Sequence, residues 1–178
     1  MREKTNSQQL AANLISQTAD WLAIHGMPAV SSYELAKYVF MHTNLSSVEE
    51  ATFKSIFSDL CDEMLNVRLL TQIAPISETR GYILFGKGSA SPAEVMCSLD
   101  PFAYVSHLSA MEYHGLTDRF PKILYMTRPA PGQWREQARV RMARDLGARL
   151  QVYLDSGLPK LLQSKITRLG QTSIHFCE

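Results

Sequence analysis

The sequence predicts an α+β chain in two parts, three helices closed by a β-hairpin and then a small mixed α/β domain. Three observations carry that expectation. Apolar residues recur at helical spacing through most of residues 7–65, two short extended runs follow, and the second half mixes short strand and helix signals. The composition is that of a globular chain: of 178 residues, 46% are hydrophobic and 20% charged, which excludes a disordered tail or a collagen-like repeat.

The first helix runs over residues 7–25, where Leu10, Ala11, Leu14, Ile15, Thr18, Trp21, Leu22 and Ile24 recur at helical spacing until Gly26 and Pro28 stop it. Ser31 or Ser32 then offers an N-cap with Glu34 in the first turn, and Leu35, Ala36, Val39 and Phe40 make a second, shorter amphipathic helix. Polar residues 44–47 form a turn. Ser47 with Glu50 fits a capping box that starts helix three, and Ser46 with Glu49 fits one a position earlier. The inward stripe of helix three is the clearest periodicity in the chain: Phe53, Ile56, Phe57, Leu60, Cys61, Met64 and Leu65. Extended runs at 67–73 and 81–85, separated by a loop at 74–80, read as a hairpin.

Three helices and a terminal hairpin are the order of a winged helix-turn-helix, here residues 1–88. In that geometry helix two braces helix three, the first turn of helix three enters a major groove, and the hairpin loop lies along the adjacent backbone. Ser47, Thr52, Lys54 and Ser55 are then the candidate groove or phosphate contacts, with Lys37, Arg68, Arg80 and Lys87 supplying flanking charge. The opposing chemistry is on the same helix. Glu49, Glu50, Asp59, Asp62 and Glu63 place negative charge where phosphates approach, which favours a protein-docking module of the same shape.

Residues 86–91 are connection material, and Ser91, Pro92 and Glu94 supply the N-cap, first residue and first-turn acid of a short helix, so a second domain spans 89–178. Gly86-x-Gly88 lacks the rest of a phosphate loop, and Asp100 lacks the second aspartate two positions on that a nucleotidyltransferase needs for magnesium. Residues 100–116 begin apolar, become a helix capped by Ser106 and stop at Gly115. His107 and His114, seven apart on one helical face, present themselves as metal ligands or an acid–base pair. Without a third ligand at informative spacing, a structural role is the simpler reading.

The stretch from Tyr104 to Leu116, following a winged helix and preceding a strand at 123–129, resembles the antitoxins of the abortive-infection AbiEi type. The family's Ser-x-x-Ser-Ala-x-x-x-His-Gly-Leu pattern falls on Ser106, Ser109, Ala110, His114, Gly115 and Leu116. The resemblance implies an N-terminal domain that binds double-stranded operator DNA and represses its own operon. It also implies a C-terminal domain that counters a nucleotidyltransferase-like toxin, directly or only functionally, in a truncated or reduced relative of longer proteins. It assigns no catalytic role to these residues; the Ser-Ala-to-His-Gly-Leu stretch is expected to fix the packing of the second domain, with Gly115 terminating its helix.

Beyond residue 120 the sequence predicts a strand to Thr127 closed by residues 128–132. A helix over 133–150 is favoured over a strand, and a strand at 151–154, a helix at 158–169 and a last strand at 172–177 complete the chain. Net charge is +1, but residues 1–90 carry 7 basic against 9 acidic side chains and residues 91–178 carry 11 against 8. Arg128, Arg135, Arg139, Arg141, Arg144 and Arg149 face only Glu136 and Asp145 in their stretch, and Arg135, Arg139 and Arg144 are the candidates to hold the second domain against DNA.

Three scattered cysteines, no signal peptide and no apolar run of membrane-spanning length predict a soluble cytoplasmic protein without disulfides or a membrane partner. The expected function is DNA-binding transcriptional regulation, with a protein-interaction module as the alternative and a homodimer admitted. An enzyme is the least favoured class, since no nucleophile–base pair, paired carboxylate or metal cluster stands at informative spacing, and no cofactor is expected.

Overall fold

The computed structural model of the protein describes residues 6–43, 50–73 and 81–178, which form an α+β fold. In chain order the first half contributes α1 (Asn6–Ile24), β1 (Ala29–Ser31), α2 (Ser32–His42), α3 (Glu50–Asn66), β2 (Leu70–Gln72) and β3 (Gly81–Leu84). Its strands pair antiparallel in the order β1-β3-β2, with Val30 opposite Tyr82 and Thr71 opposite Ile83. Strand β1 was not expected. Its three residues are too few for a periodicity, and the strand exists because Ala29 and Val30 are buried against a partner more than fifty positions away. Of the two cap candidates Ser31 caps α2, its hydroxyl accepting from the Glu34 N–H at 3.2 Å. The capping boxes at Ser46 and Ser47 and the loop 74–80, with Arg80, lie outside the described residues.

The second half contributes α4 (Pro92–Leu99), β4 (Tyr104–Val105), α5 (His107–Tyr113), β5 (Ile123–Thr127), α6 (Pro131–Leu146), α7 (Leu150–Asp155), β6 (Arg168–Leu169) and β7 (Thr172–Cys177). Its sheet runs β4-β5-β7-β6, with β5 and β7 parallel across a crossover through α6 and α7. Ser91 and Glu94 form the reciprocal capping box of α4.

Two expectations fail here. Residues 151–154 are helical because Leu150, Tyr153 and Leu154 share a face at i, i+3 and i+4, and Tyr153 is buried edge-on against Phe40 and Tyr33. Residues 158–167 form no helix: Gly157 leaves α7 at φ +65°, and the carbonyls of Pro159 and Ser164 accept from the Tyr153 hydroxyl and from Arg128 Nη1, each at 2.6 Å.

Ser106 stands at the N-cap of α5 but does not cap it. Its hydroxyl is bonded to His107 Nδ1 and accepts from the Thr127 hydroxyl, both at 2.8 Å. Ser109 Oγ accepts from Tyr125 N–H at 2.9 Å and donates to Ile123 O at 3.2 Å, and Gly115 ends the helix at φ +66°. These residues seat α5 on β5.

Two apolar clusters hold the chain together, and both cross residue 88. One joins Leu35, Phe40, Ile56 and Leu60 of the first half to Trp134, Met142, Leu146 and Tyr153. The other joins Ala29 and Ile73 to Met96, Leu124, Met126 and Ile174. Gly81 marks the approach of β3 to α4, since a Cβ there would stand 2.7 Å from Leu99 Cδ2. No helix among the described residues is long and apolar enough to cross a membrane.

Candidate nucleic-acid interface

Helix α3 turns Phe53, Ile56, Phe57, Leu60, Cys61 and Met64 inward, as its spacing dictates. Of the candidate contacts at its start, Lys54 and Ser55 are exposed and Thr52 is half-buried, whereas Ser47 is outside the described residues. The Lys54 stem lies beside the chain reversal that ends α7, where a Cβ on Gly157 would be 3.8 Å from Lys54 Cδ. Further along the outer face come exposed Ser58, Asp62, Glu63 and Asn66, so the only positive charge described there is Lys54.

Arg68 and Lys87 are exposed but elsewhere. Arg68, at φ +60°, makes the turn from α3 into β2, and Lys87 follows β3, where the Phe85 N–H reaches Leu69 O at 2.9 Å. Both therefore sit at the base of the hairpin. Twelve helical residues separate Lys54 from the end of α3, roughly 18 Å at 1.5 Å per residue.

Lys37 is consumed inside the molecule. Its ammonium lies 2.6 Å from Glu34 and 3.2 Å from Asp145, while Arg141 donates to the other Glu34 oxygen at 2.8 Å and the Tyr33 hydroxyl donates to Asp145 at 3.3 Å. This half-buried network binds α6 to α2. Burial pushes the Asp145 carboxyl up, but Lys37, Arg141 and Arg144 together outweigh it and hold it below its ordinary value. Burial, reinforced by the charges of Asp145 and Glu34, pushes the Tyr33 phenol above its ordinary value.

The arginines do not form one patch. Arg128 lies over the Phe176 ring at 3.8 Å and Arg141 faces Glu34, so both are spent on packing. Arg135, Arg139 and Arg144 remain exposed. At about 100° per residue, Arg135 and Arg139 are neighbours on α6, whereas Arg144 is turned about 140° from Arg139. Arg139 is held bidentately by Glu136 at 2.7 and 3.1 Å, and Arg144 lies 3.4 Å from Asp145.

Two open grooves went unread in the sequence. One, of about 640 Å³, lies between α6 and residues 160–165, with Arg135, Arg139, Lys160 and Lys165 at its rim. Its second wall belongs to the segment expected to be helical, so no periodicity announced it. The other, of about 780 Å³, lies beside α5 and takes in Glu94, Cys97, Glu112, Tyr113, His114 and Phe120. His114 is exposed at the end of α5, and His107 adopts φ +51° beside Ser106. Among the described residues no three His, Cys, Asp or Glu side chains gather as a metal site. No family model matches the chain, and no curated protein or solved structure matches it either.

Proposed function

We propose that the chain is a double-stranded-DNA-binding transcriptional regulator whose first half is a winged helix-turn-helix. One observation carries the reading. The order α1-β1-α2-α3-β2-β3, with β3 between β1 and β2, sets a hairpin beside a helix whose polar start is left open at Lys54 and Ser55. On this reading the beginning of α3 enters the major groove, Lys54 and Ser55 meet the duplex with Ser47 and Thr52, and Arg80 follows the backbone from the hairpin loop. Arg68 and Lys87, at the other end of α3, take no part in that contact. Arg135, Arg139 and Arg144 contribute a positive field from the second half, not a single phosphate-binding row.

The resemblance around Ser106–Leu116 extends the proposal to autorepression of a toxin–antitoxin-like or phage-defence operon, with a nucleotidyltransferase-like toxin as the functional counterpart. The test is retention of DNA from upstream of the chain's own gene at two salt concentrations. Salt-dependent preference for that DNA over a scrambled duplex is expected, and equal retention of the two overturns the reading.

A second reading, a protein-docking module of the same shape, is favoured by Asp62 and Glu63 on the exposed face of α3. It predicts capture of a protein by the isolated chain with no duplex retained at low salt.

A further inference from the structure

We infer that the groove between α6 and residues 160–165 is a binding site for an amphiphilic organic anion, a carboxylate carried on an aliphatic body. The groove encloses about 640 Å³, within the range of small-molecule sites. Its floor is apolar, built from Trp134, Ala138, Met142, Leu150, Leu154 and Leu161. Its charge has one sign. Four cations line it, at Arg135, Arg139, Lys160 and Lys165, and no aspartate or glutamate does. The groove beside α5, of comparable size, has the opposite character, with Glu94 and Glu112 and neither lysine nor arginine in its lining. The two grooves thus differ in the sign of the charge that lines them.

The cations are not equally engaged. Arg139 is answered by Glu136, whereas Arg135 gives only its Nε–H to Pro131 O at 3.2 Å, and Lys160 makes no ion pair among the described residues. Arg135 and Lys160 are thus the charges that meet a head group. A carboxylate pairs with these two cations while its aliphatic body covers the floor. A duplex phosphate would be drawn by the same cations but has no apolar part to fill the groove, so dependence on the tail separates the two. The site does not rest on the DNA-binding reading.

The test is calorimetric titration of the full chain with decanoate below its micellar range, alongside decyltrimethylammonium, which has the same tail with positive charge, and acetate, which has the head without the body. Trp134 emission in a Trp21→Phe background gives a second readout, because the chain has 2 tryptophans. Saturable binding of decanoate alone is expected, at least tenfold weaker in the Arg135→Glu/Lys160→Glu double variant and unchanged in Arg144→Glu. All three substituted positions are exposed, and a thermal melt confirms the fold of each variant. Equal binding of the cationic amphiphile, no saturation by decanoate, or full affinity in the double variant overturns the proposal.

Discussion

The indole N–H of Trp134 donates to the carboxylate of Asp100 across 2.9 Å, with both side chains sealed from solvent at 1% and 0% exposure. The same oxygen accepts the Phe102 N–H at 3.1 Å, and the Phe102 ring meets Trp134 edge-on. One carboxylate thereby anchors the start of α6 to the end of α4. Trp134→Phe keeps most of the packing and removes the donor, so it should cost about 1–3 kcal/mol. Trp134→Ala also empties the site and should cost about 3–5 kcal/mol. Urea unfolding checks both, and equal losses would place all of the contribution in the hydrogen bond and none in packing.

Asp145 makes stability depend on pH. Its carboxyl is held below the ordinary value of 3.8, so its contribution is fully present above that value and is lost as pH falls through the lower, folded one. Asp145→Asn should cost about 2 kcal/mol at neutral pH, from the loss of charge-assisted bonds to Lys37 and Arg144. Denaturation midpoints of variant and wild type should converge below about pH 4. A gap that stays constant to strong acid would show that the carboxylate is not the group responsible.

Phe57 reaches the interior from α3 at 8% exposure. Phe57→Ala should destabilise by about 3–5 kcal/mol. A melt that coincides with wild type would mean that the inward stripe of α3 is misassigned.

Under the proposed function, Lys54→Ala should weaken duplex binding and lower the salt slope by about one counterion. Arg68→Ala, in the turn beyond the far end of α3, which lies some 18 Å from Lys54 by helical rise, should leave affinity and slope as they were. Fluorescence anisotropy at several salt concentrations separates the two. An Arg68 effect as large as that of Lys54 would move the contact to the base of the hairpin.

Local chemistry made part of this legible in advance. The stripe from Phe53 to Met64 and the Ser91–Glu94 capping box are patterns within a few residues, and each formed where its spacing placed it. What escaped was made by distance. Strand β1 exists only through β3, α7 is helical because Tyr153 finds Phe40, and Lys37 meets Asp145 across 108 positions. The arginines between 128 and 149 looked like one basic run, yet helical rotation and Glu34 divide them among packing, ion pairs and two flanks of α6. The α6 groove needs a wall from the irregular segment after Pro159, whose course is set by carbonyls bonded to Tyr153 and Arg128.

Because both apolar clusters pass beneath the connection at residues 86–91, the chain cannot be dissected there without injury to each piece. A fragment ending at 88 surrenders Trp134, Leu146 and Tyr153 and bares the flank of α2 they cover. The complementary fragment surrenders Ala29 and Ile73 from under α4. Calorimetry of the intact chain should accordingly record one melting event for both halves, and any event that seats or displaces α6 is felt at once by α2, with no hinge between them to absorb it.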